Sequence, residues 1–301
     1  MVNKKSIYLH GLTWLIGLVL LVSVTADADE RKIIRVGGSA ESIYDMRIAD
    51  LEILISLLFN EMYRDDNYQL KVKIYERDEM LESQLTSGKL DAIFMNPIFY
   101  LENIEYLNSK FTYAVQHGSS IKPNYLLLVR RDSGINSLEG LRDKKLIVPS
   151  GHMAGLRFLD VELLRTGMPM AAESFSEVRY TKEANAAIIN LFFGQVDAAL
   201  VTDFSYEVAT ELNRQIPKSL QIIRTSQPLI HMVIGIRKDF PPHLVERYLP
   251  FAESLNKFPR LRYLKKNFRF AGVKKITTDD LFTLVDLNKE YARLKNKVAP
   301  Q

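Results

Sequence analysis

Cysteine is absent from all 301 residues of the chain. Without a thiol there is no disulfide, no zinc–thiolate site, no cysteine nucleophile and no lipid anchor attached through cysteine. A marked excess of one charge is also lacking, because 40 basic and 36 acidic residues give a formal net charge of only +4. Two of the basic residues, Lys4 and Lys5, lie in an N-terminal segment that we expect to be removed. A concentrated basic surface for nucleic acid is therefore not expected.

Long apolar stretches are rare, and the one at the N-terminus is short. In "MVNKKSIYLHGLTWLIGLVLLVSVTADADE", Lys4 and Lys5 precede an apolar stretch of about 14 residues, and small residues precede Asp27. This pattern predicts a signal peptide over residues 1–26, with cleavage after Ala28 as the alternative. A membrane anchor is the competing interpretation, but a spanning helix usually needs about 20 apolar residues. We expect a mature protein that is soluble in the periplasm.

One phrase occurs twice in the chain. "GKLDAIFMNPIFY" begins at Gly88, and "GQVDAALVTDFSY" begins at Gly194, 106 positions later. The register extends back to Lys71 and Glu177 without a gap. A glycine that ends a helix explains one copy. It does not explain why a unit of about thirty residues recurs, which predicts two lobes of similar build.

Hydrophobic periodicity predicts the order of elements in each lobe. Strands are expected at 32–38, 70–75 and 90–95 in the first lobe, and at 145–148, 177–181 and 196–201 in the second. Helices are expected at 45–64, 78–87, 155–165 and 183–193. This alternation predicts an α/β fold in which each lobe is a mostly parallel sheet flanked by helices. Extended runs at 111–118, 124–134 and 220–239 predict two crossings between the lobes, which would form a hinge beside a ligand cleft.

Candidate ligand-binding residues follow the predicted strands, because ligands lie beyond the carboxyl ends of strands in open parallel sheets. Tyr44, Asn96 and Tyr100 are expected to line the first-lobe wall. On the second wall Asp203 could pair with an amino group of the ligand, or it could cap the next helix. His117, His152 and His231 lie near the predicted hinge, but their spacing fits no metal-binding motif, so no metal is expected.

The chain resembles a known family over nearly its whole mature length. The signal peptide, "GKLDAIFMNPIFYL", "NYLLLVRRDSGINSLEGLRDKKLIV", "GQVDAALV" and the C-terminal helices are similar to the phosphate/phosphite/phosphonate-binding proteins of ABC transporters. The resemblance implies the type II periplasmic-binding-protein clamshell. We expect lobe 1 to comprise residues 27–121 and 229–301, and lobe 2 residues 122–228. The resemblance also implies that the protein captures a small anion and delivers it to an inner-membrane permease. It further implies that the protein is not an enzyme and needs no cofactor. We expect a monomer.

The sequence departs from the family pattern at the expected anion site. Family members carry a Ser/Thr-rich turn after the first strand of the second lobe, whereas this chain reads "VPSGHMAGLRFL". The expected ligand contacts are therefore Ser150, Gly151, His152, Met153 and Ala154. Ala184 also stands where the family has a histidine. The backbone amides of the helix remain available to an anion, but the side-chain hydroxyls are gone.

The free energies of these interactions indicate how far the loss of the hydroxyl donors would weaken anion binding. A helix N-terminus favours an anion by about 0.3–2 kcal/mol, whereas micromolar affinity requires about 8 kcal/mol. Two lost charge-assisted hydrogen bonds of about 1.5–3 kcal/mol each would weaken phosphonate binding about a hundredfold to ten-thousandfold. The sequence therefore favours an organic anion over inorganic phosphate.

Enzymes also occur in this fold class, but this sequence does not match their requirements. Porphobilinogen deaminase needs a cysteine for its cofactor, and related enzymes of thiamine or menaquinone synthesis would carry no signal peptide. A different alternative stays open from the sequence, namely a periplasmic sensor module that reports its ligand to a membrane signalling protein.

Overall fold

The computed structural model describes residues 32–42, 52–53, 55–57, 68–117, 120–246 and 270–298. Eleven strands are found in this part of the chain: β1 Lys32–Ser39, β2 Tyr68–Tyr75, β3 Ala92–Met95, β4 Leu107–His117, β5 Tyr125–Arg130, β6 Lys145–Pro149, β7 Glu177–Thr181, β8 Ala198–Thr202, β9 Leu220–Thr225, β10 Val233–Arg237 and β11 Phe270–Lys275. The helices with defined bounds are α1 Asp78–Thr86, α2 Pro97–Glu102, α3 Met153–Arg165, α4 Ala171–Ser174, α5 Ala184–Phe192, α6 Asp203–Leu212, α7 Ile216–Ser219 and α8 Phe282–Val298. Only residues 52–53 and 55–57 of the helix predicted at 45–64 are described, and they are helical.

The strands form two separate sheets. Sheet A has the order β11-β4-β10-β3-β1-β2, and sheet B has the order β7-β6-β8-β5-β9. We call sheet A with α1 and α2 lobe 1, and sheet B with α3 to α7 lobe 2. The strands of lobe 2 all lie between residues 125 and 225, so this lobe is inserted between β4 and β10 of lobe 1.

The sheets are mixed, which corrects the prediction of mostly parallel sheets. The α/β units pair in parallel, as in β1 with β2 and β3, and β6 with β7 and β8. The strands that carry the chain between the lobes pair antiparallel with them: β10 with β3, and β5 with β8. β11 was missed, because the sequence indicated only helices after residue 239. It pairs antiparallel with β4, and the pairing is irregular between Phe270 and Gly272.

The sequence repeat corresponds to one structural unit present in both lobes. Helix α1 and helix α5 have nine residues each, and their bounds differ by the same 106 positions as the two phrases. Asn96 follows β3 and Thr202 is the last residue of β8, and each side chain accepts a hydrogen bond at the N-terminus of the next helix. The unit therefore places equivalent helix starts at the same edge of each sheet.

The glycine and aspartate of the repeated phrase stabilise the opposite edge of each sheet. Gly88 and Gly194 have φ of 72° and 71°, a left-handed conformation that favours glycine at a helix end. The Asp91 carboxylate accepts the Arg35 backbone N–H at 2.8 Å, and Asp197 accepts that of Lys145 at the same distance. Asp91 therefore binds the middle of β1, at Arg35, and Asp197 binds the first residue of β6, so the glycine and aspartate of the phrase have a structural role.

The C-terminal helix connects the end of the chain to lobe 2. Helix α8 packs against α3, and the Arg157 side chain donates to Asn288 Oδ1 at 2.5 Å. The Arg157 guanidinium also lies 3.8 Å from the centre of the Tyr291 ring. The strands of each sheet fall within the predicted lobe ranges, whereas α8 comes from the range predicted for lobe 1. The exact lobe boundaries remain a prediction.

Within the described residues, no helix combines the length and apolar character required to cross a membrane.

Candidate functional site

The turn after β6 leads into the N-terminus of α3. The Ser150 N–H donates to the Thr181 carbonyl at 2.7 Å, which holds the turn against the end of β7. Gly151 has φ of 80°, where glycine is favoured. His152 occupies the N-cap position, but its side chain makes no capping hydrogen bond. The first amides of α3 are therefore not capped by that side chain and could be offered to an anion.

His152 is in the interior of lobe 2, with 1% of its surface exposed. Burial lowers the pKa of this imidazole from 6.5 to about 3, and a hydrogen bond to the Leu200 backbone opposes the shift only in part. The side chain is therefore neutral at pH 7 and adds no positive charge to the site. Ala154 is fully buried and Met153 partly buried, so apolar groups surround the start of α3.

Asp203 is the first residue of α6, and its neighbour Thr202 is the N-cap. The Asp203 carboxylate accepts the N–H of Asn124 at 3.0 Å and that of Phe204 at 2.7 Å. It therefore joins the first crossing between the lobes to the edge of sheet B. Contact between Asp203 and a ligand remains a prediction.

The first-lobe wall contains Asn96 and Tyr100, while Tyr44 lies outside the described residues. Asn96 is 2% exposed, and its Nδ2 donates to Ser42 Oγ and Asp78 Oδ2, both at 3.0 Å. Tyr100 is also 2% exposed, and its hydroxyl lies 3.2 Å from Thr112 Oγ1. Both side chains point into lobe 1, and their contact with ligand remains a prediction.

Asp78 lies beside Asn96 and was not among the binding residues predicted from the sequence. Its carboxylate accepts hydrogen bonds from the hydroxyls of Ser39 and Ser42 as well as from Asn96. It stands 106 positions before Ala184, so the lobe-1 copy of the repeat carries a carboxylate where the lobe-2 copy carries a methyl group. The repeat and the serines after β1 were signals that could have pointed to it. Because these donors already serve Asp78, they are not available to an anion without rearrangement.

The two walls are in contact, since α2 packs against α3. Burial raises the pKa of Glu102 on α2, while the charge of Arg157 on α3 opposes that rise. Burial and the charges of Asp160 and Glu41 together raise the pKa of Tyr180. Charged groups of each lobe therefore act on the other, as expected of walls that enclose a cleft.

Two of the three histidines near the hinge, His152 and His231, lie close together in the structure. The rings of His152 and His231 are 5.2 Å apart between centroids, and the side chain of His117 is outside the described part of the chain. Among the side chains that are described, no group of three His, Cys, Asp or Glu could hold a metal ion.

Comparison with known proteins identifies a matching family profile and solved structures of similar fold. A family profile described as "ABC transporter, phosphonate, periplasmic substrate-binding protein" matches residues 49–281. No curated protein sequence matches the chain significantly. The protein XAC2383 from Xanthomonas citri, bound to ATP, has a TM-score of 0.67 and 16% identity, over 89% of this chain and 100% of that one.

Two further solved structures resemble this chain with nearly the same TM-score. A binding protein component of an ABC phosphonate transporter from Pseudomonas aeruginosa has a TM-score of 0.66 and 12% identity, with 90% of each chain covered. PhnD1 from Prochlorococcus marinus, in complex with methylphosphonate, has a TM-score of 0.66 and 12% identity, over 87% of this chain and 99% of that one. These likenesses confirm the predicted α/β clamshell fold class.

Proposed function

The chain belongs to the periplasmic phosphonate-binding proteins of ABC transporters, and from that premise we propose that it captures a small organic anion between its lobes. Members of this family bind a small ligand and deliver it to an ABC permease in the inner membrane. The family therefore favours transport over the sensor role that the sequence left open.

One observation carries the proposal on where the ligand binds. Gly151 turns the chain so that α3, which packs against α2 of the other lobe, begins without a side-chain cap. The amides at the start of α3 can donate to an anionic group, which the helix dipole also favours. We place the charged end of the ligand over Gly151 to Gly155, with Ser150, His152, Met153 and Ala154 around it.

The surroundings of these amides support an organic ligand over inorganic phosphate. Met153 and Ala154 provide apolar contact, and His152 is neutral because burial lowers its pKa to about 3. On the opposite wall, the Asp78 carboxylate engages Ser39, Ser42 and Asn96. A second charged oxygen group facing lobe 1 would meet a negative charge, so a ligand with one anionic end fits better.

Isothermal titration calorimetry with a ligand panel tests this proposal. The panel contains inorganic phosphate, phosphite, methylphosphonate, aminoalkylphosphonates, sulfonates, carboxylates and ATP. We expect an organic anion to bind at least about a hundredfold more tightly than inorganic phosphate. Tight binding of inorganic phosphate that is unaffected by His152→Ala would contradict the assignment, as would a preferred ligand with no anionic group.

A matched pair of variants locates the anionic end. Met153→Glu places a carboxylate beside the first amides of α3, whereas Met153→Gln has nearly the same shape without the charge. Two like charges about 5 Å apart repel by about 3 kcal/mol at an effective dielectric constant of about 20. Met153→Glu should therefore weaken the best ligand by tenfold or more relative to Met153→Gln. Equal affinities would place the anion elsewhere.

We also propose that residues 1–26 are a cleavable signal peptide, that the mature chain is a monomer and that it leaves its ligand chemically unchanged. The N-terminal lysines and the short apolar stretch support the first point. Multi-angle light scattering measures the mass of the mature chain, and a dimer would contradict the second point. Phosphorus NMR of a phosphonate recovered after incubation would reveal any reaction.

A further inference from the structure

A buried aromatic residue lies where the hinge and the binding helix meet. Tyr125 begins β5 immediately after the first crossing, and its side chain is fully buried. A Cβ atom added to Gly155 would lie 2.3 Å from Tyr125 Cδ1. The absence of a side chain at Gly155 therefore allows the Tyr125 ring to pack directly on the backbone of the first turn of α3.

The hydroxyl of this tyrosine reaches the second crossing. Tyr125 Oη and His231 Nδ1 are 2.6 Å apart and share a hydrogen bond in which either group could be the donor. His231 is 2% exposed and lies between β9 and β10. Burial, followed by the charge of Asp203, raises the pKa of the Tyr125 hydroxyl, so it keeps its proton at neutral pH.

His152 completes a cluster of three buried rings. Its ring is edge-on to Tyr125 at 5.4 Å and edge-on to His231 at 5.2 Å between centroids. The backbone reinforces the arrangement, because the Tyr125 N–H donates to Ser226 Oγ and the Ser226 N–H donates to the Tyr125 carbonyl, both at 2.8 Å. One group of side chains thus contacts both crossings and the N-cap of the binding helix.

We infer that the Tyr125–His231 hydrogen bond is a positioning contact that favours the arrangement in which the lobes touch. A change in the angle between the lobes must alter the backbone of the two crossings. The bond joins His231, in the second crossing, to Tyr125, which begins the strand that follows the first crossing. The Tyr125 ring also packs against Gly155 and the His152 ring, so the angle between the lobes and the orientation of the α3 amides change together. Neither Tyr125 nor His231 needs to contact the ligand for this effect.

Spin labels can measure the lobe separation in the complete mature chain without ligand. The chain has no cysteine, so two introduced cysteines are the only sites of labelling. Arg77 and Glu183 are suitable because they are exposed N-cap residues of the equivalent helices α1 and α5, one in each lobe. Double electron–electron resonance then gives the distribution of distances between the two labels.

Removal of the bond should increase the population with separated lobes. Tyr125→Phe deletes only the hydroxyl, and a buried hydrogen bond changes an equilibrium constant by about three- to tenfold. We expect the ratio of long to short distances to rise by that factor. His231→Leu should have the same effect, whereas His231→Asn, whose amide can replace Nδ1, should retain more of the short-distance population. Ser174→Ala removes a buried hydroxyl that bonds to Pro169 within lobe 2, and it should leave the distribution unchanged.

A double-mutant cycle decides whether the two residues act through their bond. The variant Tyr125→Phe/His231→Leu should be no more open than either single variant. Additive effects would overturn the inference, and so would an unchanged distribution in Tyr125→Phe. A wild-type chain that shows only the long distance would also overturn it, because the bond would then not hold the lobes together.

This inference rests on the proposed function, since a lobe angle matters only to a protein that closes on a ligand. Its test uses no ligand, so the two can fail separately. A chain that binds an organic anion but shows no effect of Tyr125→Phe would refute the hinge contact alone. A chain in which the variants open the lobes but no anion binds would refute the ligand assignment alone.

Discussion

Acid should destabilise this protein through His152 by an amount that can be worked out from its burial. The pKa of His152 is lowered from 6.5 to about 3 because the folded chain holds it away from water. Between these two pH values the unfolded chain binds a proton at His152 that the folded chain does not. Stability is therefore fully present above pH 6.5 and is lost as the pH falls towards 3. Each pH unit within that window costs about 1.4 kcal/mol.

The expected loss between pH 7 and pH 5 is about 2 kcal/mol from this one side chain. Other groups also contribute to the pH dependence of stability, including Asp160 and Glu102, whose pKa values burial raises. Their contribution cancels when the wild type is compared with His152→Gln at each pH. The variant loses the contacts of the imidazole at every pH. The informative quantity is therefore how much the free energy of unfolding changes between one pH and another.

Urea unfolding followed by far-UV circular dichroism, at pH 7, 6 and 5, gives the free energy of unfolding of each variant. Wild type should lose about 2 kcal/mol more than His152→Gln between pH 7 and 5. His243→Gln serves as the matched control because His243 is exposed, and it should follow the wild-type curve. Equal losses in wild type and His152→Gln would refute the conclusion that His152 is buried and neutral.

Four further predictions concern processing, closure and packing. Mass spectrometry of the exported protein should give a chain that starts at Asp27 or Asp29, and a retained full-length product would contradict cleavage. Small-angle X-ray scattering should show a smaller radius of gyration when the best ligand is saturating, because ligand shifts the population towards closed lobes; an unchanged radius would argue against closure. Gly155→Ala should cost about 1–3 kcal/mol by overpacking against Tyr125, whereas Gly140→Ala, with no atom closer than 3.5 Å to the added carbon, should be nearly neutral. Gly194→Ala should cost about 1 kcal/mol or more because of its φ of 71°, and a melting temperature equal to that of wild type would contradict this reasoning.

Local patterns predicted most of the individual elements. The strand at 177–181 has the predicted bounds, helix α1 ends one residue before its predicted end, and helix α5 is one residue shorter than predicted at each end. These segments combine a clear hydrophobic period with a glycine at the helix end, and both signals act over a few residues. Helix α3 begins at Met153, two residues before the predicted start, because Gly151 rather than Gly155 provides the turn.

Contacts between distant segments were beyond the reach of these patterns. The sequence predicted His152 as a ligand contact near the hinge but did not indicate that its neighbours in space are Tyr125, Leu200 and His231. It also offered Asp203 as a helix cap, whereas Thr202 takes that position. Burial and hydrogen-bond partners depend on how the sheets are assembled, and no short-range period records that.

The position of β10 in sheet A has a consequence for how the protein is made. β10 lies between β3 and β4, although it follows the whole of lobe 2 in the chain. A nascent chain emerges from its amino end, so β4 has no neighbour in sheet A until Val233 and the residues after it have been synthesised. Sheet B needs nothing beyond Thr225 and can therefore assemble first. Between the synthesis of β4 and that of β10, an eleven-residue strand with two unpaired edges is therefore open to aggregation.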